Sequence, residues 1–335
     1  MGRQINFKIA IIGCGVIGTK RSKSLGSIGK LVACADVDLN RAKKIALNKK
    51  IKVFTDWRKL LDIKEIDIVI IATPHNQLSK ILIQAYNKKK HILVEKPGSK
   101  NLKEITKVIS KVKNSKIKIR VAFNHRYHPS IIKSQEIIES GIIGKPMYLR
   151  GRYGHGGRLG YEKEWRAKPS ISGGGELIDQ GSHLIDLSRL FLGEFDEVKG
   201  FINTYFYNMS VEDNAFLTLK TRSNKIAFLH ASWTEWKNMF SFEVFCTLGK
   251  LDISGLGGSY GQEQLTLYKM SKKMGIPKQK IWKFGLQDVS WKNEINAFYN
   301  DIIYNRKPKE NLNSAYQTLK IINKIYKNSK YDYFT

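Results

Sequence analysis

An apolar run that breaks into closely spaced glycines constrains this chain more than any other feature. Residues 8–18 read KIAIIGCGVIG. Lys8 to Ile12 has the character of a buried strand, Gly13-Cys14-Gly15-Val16-Ile17-Gly18 forms a turn, and a helical pattern continues through Arg21, Ser22, Ser24 and Leu25. In such a G-x-G-x-x-G turn the first glycine permits the tight bend, and the second removes a side chain that would block a pyrophosphate. The third lets helix approach strand. Free N–H groups at the helix start, with the positive end of its dipole, suit a phosphate. A second strand, Leu31 to Ala35, ends in Asp36, eighteen positions after Gly18. That is where a dinucleotide's ribose 2′-hydroxyl would lie. A carboxylate there accepts hydrogen bonds from ribose hydroxyls and repels a 2′-phosphate, which favours NAD over NADP.

The 335 residues exceed what one core usually organises and predict two domains. Strand-like segments at 66–72, 91–94 and 119–123 alternate with helical patterns at 40–49, 57–61, 77–87 and 102–113. This alternation predicts an α/β Rossmann domain with a doubly wound parallel sheet over residues 1–124. From about residue 195 the pattern becomes alternating strands at 197–207, 215–221, 225–233, 240–248 and 264–270, parted by turn residues such as Arg222-Ser223-Asn224. An α+β domain with a large, mainly antiparallel open sheet is expected over 125–290. Helical spacing returns at 292–304 and 313–329. The 291–335 segment is expected to pack back toward the first domain.

No apolar stretch approaches the roughly 20 residues that span a bilayer, so no membrane partner is expected. The N-terminal apolar segment is broken by glycine and has no cleavage-site pattern, and Gly2 does not open a myristoylation motif because Asn6 stands where Ser or Thr is required. Cys14, Cys34 and Cys246 form neither an even disulfide framework nor a metal spacing. A reducing cytoplasm is the expected compartment. The net charge of +29 is also the footprint of a nucleic-acid-binding protein. Its lysines are, however, scattered over every predicted helix surface, with no basic stripe of interleaved aromatics. Runs such as Lys88-Lys89-Lys90 and residues 111–118 read as solvated helix ends and loops, and no nucleic-acid partner is expected. A positive field that attracts an anionic substrate is a lesser reading of the same charge.

A second chemical cluster runs from Ser172 to Asp186, SGGGELIDQGSHLID. Glycines precede a helix whose buried side is Leu177, Ile178, Leu184, Ile185 and Leu187. Asp179 and His183 stand four apart and project from one face, with Asp186 a turn further on. An aspartate one turn from a histidine raises the imidazole's basicity and orients it, which suits a base that takes a hydroxyl proton as hydride leaves the same carbon. Taken alone, the pair is better read as an ordinary polar pair on an exposed helix face. No H-E-x-x-H or cysteine spacing accompanies it, so no metal is expected.

These residues, together with Glu95-Lys96-Pro97, IVIIATP at 68–74, HILVEKP at 91–97 and FNHRYHP at 123–129, resemble the Gfo/Idh/MocA family in the proper order and over nearly the whole chain. The resemblance implies an NAD(P)-dependent oxidoreductase that interconverts a secondary hydroxyl and a ketone on a sugar or cyclitol, with its active site between a Rossmann domain and a sheet domain. It implies Lys96 as a contact to cofactor and substrate, a commonly cis bond before Pro97, Glu95 beside the nicotinamide ribose, and Asp179 and His183 as the catalytic acid and histidine. His183 is then the base, Asp179 its electrostatic partner, and Lys96 a donor that orients the reacting oxygen. The cofactor set comprises Gly13, Gly15, Val16, Ile17, Gly18, Asp36, the Thr73-Pro74-His75 loop, Glu95 and Lys96. Relatives often pair their sheets face to face, which implies a homodimer or homotetramer.

This chain departs from the family in two places. Leu78 stands four residues after Pro74, where many relatives have histidine, and His125 stands where relatives often have the first of two arginines, with Arg126 matching the second. Asn124, His125 and Arg126 are expected to contact substrate, as are Lys96, Asp179 and His183. The polar, aromatic stretch 153–166 is a candidate pocket loop in which Tyr153, His155, Tyr161, Trp165 and Arg166 would offer aromatic faces and donors to sugar hydroxyls. Anchoring the loop in the core is an equal reading for Trp165, and interface packing an equal reading for Trp233 and Trp236. Alternative functions are a sugar-nucleotide dehydrogenase or reductase of surface-polysaccharide synthesis, and an NAD-dependent redox-neutral glycosidase. A non-enzymatic sensor or nucleic-acid-binding protein is a further class.

Overall fold

The computed structural model describes residues 6–47, 50–112, 116–271, 273–329 and 331. Gly2, the expected helix ends at 49 and 113, and residues 113–115 of the lysine-rich run lie outside them. The chain divides into two compact units. One holds the described residues up to Phe123 with Trp291–Gln317, and the other Asn124–Ser290 with those from Thr318 onward.

The first unit alternates β1 (Phe7–Ile12), α1 (Val16–Lys23), β2 (Gly29–Ala35), α2 (Leu39–Ala46), β3 (Lys52–Phe54), α3 (Trp57–Leu61), β4 (Ile68–Ile71), α4 (His75–Asn87), β5 (His91–Glu95), α5 (Leu102–Lys111) and β6 (Ile119–Ala122). The strand order is β3-β2-β1-β4-β5-β6, and every neighbouring pair is parallel. This is the expected doubly wound sheet, with its order reversing between β1 and β4, where such folds open a crevice. All of β4 is buried, as befits a parallel strand covered on both faces. Asp38, Asp56 and Asn101 start α2, α3 and α5 by accepting hydrogen bonds from the first backbone N–H groups. β3 was not foreseen, since three residues are too few for a periodic signal.

The second unit opens with a 3-10 turn over Asn124–Tyr127, then α6 (Pro129–Glu139), β7 (Pro146–Gly154), α7 (Pro169–Ser172), α8 (Glu176–Asp179) and α9 (Gly181–Leu192). Seven strands follow: β8 (Glu197–Asn203), β9 (Asn214–Lys220), β10 (Ile226–Ser232), β11 (Met239–Cys246), β12 (Gly249–Ser254), β13 (Gln264–Lys269) and β14 (Lys278–Lys283). The eight strands run β14-β13-β12-β11-β7-β10-β9-β8, antiparallel throughout except for β7 beside β10. The mainly antiparallel sheet was expected; β7, β12 and β14 were not. On β7 the inward positions are Leu149, Gly151 and Tyr153, so a glycine interrupts the apolar alternation. That glycine is required by packing. A Cβ there would stand 3.0 Å from Phe242, 3.1 Å from Leu229 and 3.2 Å from Leu184 of α9, which lies across β7 and β10.

Two helices end the chain, α10 (Ser290–Ile303) and α11 (Leu312–Asn328). In the first unit, Ile295, Phe298 and Tyr299 of α10 join the core around Ile9, Ile11, Ile70 and Leu93, and the Tyr299 hydroxyl donates to the Leu25 carbonyl at 2.8 Å. The buried Arg120 guanidinium pairs with Asp301 and Glu310. The residues of α11 are shared out, those to Gln317 with the first unit and those from Thr318 with the second. Of the segment expected to pack back toward the first domain, residues 291–317 lie with the first unit and the described residues from 318 onward with the second.

Candidate active site

Within the first unit, the three glycines of the turn have different physical roles. Gly13 has a φ of +93°, and a Cβ on it would stand 2.5 Å from the Ala72 carbonyl oxygen; one on Gly18 would stand 1.9 Å from the Gly13 carbonyl oxygen. These two let β1, β4 and α1 approach. At Gly15 a Cβ would meet nothing within 4 Å. Gly15 thus faces open space at the start of α1, the cradle that a pyrophosphate needs. Thr73, just past β4, carries a buried hydroxyl with no protein partner. It offers a donor and an acceptor to a bound group. These residues fit a dinucleotide. Gly15→Val should therefore leave the far-ultraviolet circular dichroism unchanged yet weaken NAD binding at least about tenfold, or ~1.4 kcal/mol, in a calorimetric titration. Unchanged affinity would remove Gly15 from the site.

Asp36 stands at the end of β2, as expected, and it also organises the turn. Its Oδ2 accepts from the Cys14 N–H at 2.7 Å and its Oδ1 from the Asp38 N–H at 2.9 Å. A carboxylate has about four acceptor positions, so capacity remains for ribose hydroxyls. Val16 is exposed at the start of α1, Ile17 is half-buried, Pro74 precedes α4, and His75 begins that helix in a buried position. Leu78, where many relatives have histidine, is fully buried on α4.

Glu95 ends β5, followed by Lys96 and a cis bond to Pro97. No local spacing signals what holds Glu95. Arg21 of α1, 1% exposed, lies 2.7 Å from Glu95 and 2.5 Å from Glu294 of α10, and its guanidinium stacks on Trp291. Burial, opposed by Arg21 and reinforced by Glu95, pushes the Glu294 carboxyl up to about 7.

In the second unit, the sequence pattern predicted one helix carrying Asp179 and His183 on one face. The structure corrects this: α8 ends at Asp179, and α9 starts after Gln180. Buried Glu212 fixes the start of α8. Its carboxylate accepts from the Gly175 and Leu177 N–H groups at 3.1 and 3.0 Å and from the Tyr326 hydroxyl at 2.8 Å. A lone glutamate between strands gives no sequence signal, and Glu212 was missed for that reason.

His183 is buried, and its ring stacks on that of His125 with centroids 3.7 Å apart and planes 24° apart. Asp179 accepts from Arg166 Nε at 3.0 Å, and the Arg166 guanidinium lies over the Trp165 ring at 4.7 Å. Arg126, an expected substrate contact, holds buried Asp186 through two hydrogen bonds of 2.6 Å. Asn124 is buried, with its amide nitrogen donating to Ser290.

The stretch 153–166 is less uniform than a pocket loop. Tyr153 belongs to β7, is buried against His125, His183 and Tyr260, and hydrogen-bonds Tyr260; burial and that neighbour push its phenol well up, so it stays protonated. The His155 ring accepts the Gly157 N–H on Nδ1 at 2.9 Å, and burial holds its pKa down. The neutral Nε2–H form follows. Tyr161 packs with Tyr207, Val211 and wholly buried Trp233 in a small core. Its ring, expected against a sugar, is spent on packing, and so is Trp233. Trp165 is half-buried, whereas Trp236 is 63% exposed and packs edge-on against Phe206. Among the described residues, no group of three His, Cys, Asp or Glu is placed to hold a metal ion, and no helix is long and apolar enough to cross a membrane.

Residues 7–123 match the oxidoreductase family with an NAD-binding Rossmann fold, and residues 131–252 match the GFO/IDH/MocA C-terminal domain. The scyllo-inositol 2-dehydrogenase (NAD(+)) of Bacillus subtilis is 31% identical over 262 residues, 74% of either chain. This chain belongs to the Gfo/Idh/MocA oxidoreductase family. The first unit is its NAD-binding domain, and NAD is the cofactor that the open Gly15 position and Asp36 accommodate. Levoglucosan dehydrogenase of Pseudarthrobacter phenanthrenivorans is 30% identical over 216 residues, 60% of this chain and 55% of that protein. The chain thus spans little more than half of that relative. A solved levoglucosan dehydrogenase, in complex with NADH and L-sorbose, shares the fold over 96% of both chains, with a TM-score of 0.87 at 22% identity.

Proposed function

We propose that this Gfo/Idh/MocA protein oxidises a secondary hydroxyl of a sugar or cyclitol to a ketone, or reduces the ketone, with Lys96, Asp179 and His183 as its catalytic residues. The observation that carries the reading is the buried, braced imidazole of His183 following an aspartate already held by a cation. Relatives named as inositol and levoglucosan dehydrogenases support the substrate class.

His183 accepts the proton of the reacting hydroxyl, and Asp179, carrying the opposite charge, stabilises the imidazolium that forms. Lys96 donates a hydrogen bond to the reacting oxygen and stabilises the negative charge that develops there. Gly13, Gly15 and Gly18 shape the phosphate cradle, while Glu95, held by Arg21, anchors the strand end from which Lys96 projects. NAD, when bound, supplies the hydride acceptor. Buried Tyr153 and Asn124 surround the histidines with apolar edges and polar tips, a setting suited to a flat, hydroxyl-rich ligand.

The test is a screen of cyclitols, free sugars, uronates and nucleotide sugars with NAD, read as NADH absorbance at 340 nm, a property of NADH. NADH formation is expected with one of these classes and should fall at least about a hundredfold in Lys96→Ala. Release of an aglycone with no net NADH would overturn the dehydrogenase reading in favour of a redox-neutral one.

A further inference from the structure

A glycine-rich loop in the second unit holds a tyrosine against Tyr153. Residues 255–261, GLGGSYG, join β12 to β13. Gly255 and Gly258 take φ of +69° and +76°, and a Cβ on them would stand 2.3 Å from the Gln262 carbonyl oxygen and 2.1 Å from that of Leu286. Only glycine fits such a bend. The loop is tied down on both sides of the bend. The Gly255 N–H donates to the Phe240 carbonyl of β11 at 3.0 Å, the Tyr260 N–H to that of Leu256 at 3.2 Å, and Asn238 Nδ2 to the Ser259 carbonyl at 2.9 Å. Tyr260 is thereby fixed edge-on to Tyr153, with ring centroids 5.0 Å apart.

A hydrogen count around Tyr260 leaves two groups over. Gln180 lies three residues before His183, whose N–H donates to the Gln180 carbonyl at 3.0 Å. From Nε2, Gln180 donates to the Tyr260 hydroxyl oxygen at 3.1 Å. The Tyr153 hydroxyl is bonded to the same oxygen. Burial raises both phenols, and their shared hydrogen bond raises Tyr153 further while it lowers Tyr260, so Tyr153 is the donor. With two bonds accepted, Tyr260 still has its own hydrogen to give, and no acceptor for it stands among the described residues. Burial and the nearby charges of Glu176 and Asp179 keep that hydrogen on the oxygen. Gln180 itself is 7% exposed, and its Oε1 is buried with no protein partner. A buried acceptor left unpaired is costly and asks for a bound group.

One donor and one acceptor therefore stand together, beside the tyrosine that packs on His183. A hydroxyl group both donates and accepts, and so it satisfies the two at once. An ether or carbonyl oxygen has no hydrogen for Gln180, and an ammonium has no lone pair for Tyr260.

We propose that Tyr260 and Gln180 form a subsite for one hydroxyl of the substrate other than the reacting one, Tyr260 donating to its oxygen and Gln180 Oε1 accepting its hydrogen. The inference rests on the reading of this protein as a dehydrogenase of a sugar or cyclitol, and it adds a second hydroxyl at one fixed position as a requirement.

The experiment is steady-state NADH formation with the cyclitol or sugar that the screen turns over best and with each of its monodeoxy analogues, in the unaltered protein, Tyr260→Phe and Gln180→Leu. Tyr260→Phe keeps the ring against Tyr153 and loses only the hydroxyl; Gln180→Leu keeps the volume and loses the amide. In each variant kcat/KM for the parent compound should fall at least about tenfold, mostly through KM. One monodeoxy analogue should be at least about tenfold poorer than the parent in the unaltered protein. For that analogue alone, the two substitutions should cost less than about threefold, because the group they serve is gone. A loosened fold would instead lower activity on every compound alike. Equal losses on all analogues, different analogues singled out by the two variants, or variants as active as the unaltered protein overturn the proposal. NADH formed from no compound at all defeats the dehydrogenase reading and the subsite with it, whereas turnover with any of those three patterns defeats the subsite alone.

Discussion

Alanine at position 183 should lower kcat/KM for NADH formation by about 10²–10⁴, the usual contribution of a positioned general base. NAD affinity should be unchanged, because the open Gly15 position and Asp36, which accommodate the dinucleotide, are untouched. The measurement is steady-state NADH formation on the best substrate of the screen, with calorimetric NAD binding alongside. A loss of less than about tenfold would mean that another group takes the proton. Tyr153, buried beside both histidines, would be the first to examine.

Arg21→Met should destabilise the first unit by about 3 kcal/mol, since it leaves half-buried Glu95 and buried Glu294 without their cation. In a domain of this size that corresponds to a fall in Tm of about 10 °C. The loss should grow with pH. The folded Glu294 carboxyl, raised to about 7 from 4.5, contributes stability that is complete below the unfolded value and lost as pH rises through the folded one. Arg21 opposes that rise, so its removal pushes Glu294 higher still and deepens the loss on the alkaline side. Thermal unfolding at pH 5 and pH 8 measures this. A deficit that is equal at the two values, or larger at pH 5, would contradict it.

Arg21 also marks what the sequence pattern could not convey. The glycine turn and Asp36 were legible because their spacing is local: strand, bend and helix are formed by consecutive residues, and the carboxylate follows one strand later. The partners of Glu95 were not, since Arg21 and Glu294 lie 74 and 199 positions from it and meet only when α1, β5 and α10 pack together. The second sheet divides in the same way. Its alternating strands β9 to β11 read directly from the chain, whereas β7 was hidden by Gly151, a residue whose small size answers to Leu184, Leu229 and Phe242 from three other elements. Tyr161 shows the same limit, since an aromatic residue in a polar loop looks the same on paper whatever its ring meets, and here it packs against Trp233.

The sequence by itself determined the family, the doubly wound sheet and NAD as the cofactor, and it supplied Lys96, Asp179 and His183 as the candidates of the proposed chemistry, because each rests on residue type at short spacing. Tertiary structure alone decided which charges compensate one another: Arg166 on Asp179, Arg126 on Asp186, Arg21 on Glu95, and Glu212 on the start of α8. It also decided that His125 stacks on His183. Burial makes these pairings necessary, since a charge withdrawn from water must find a partner, and only the folded chain determines which residues are buried side by side.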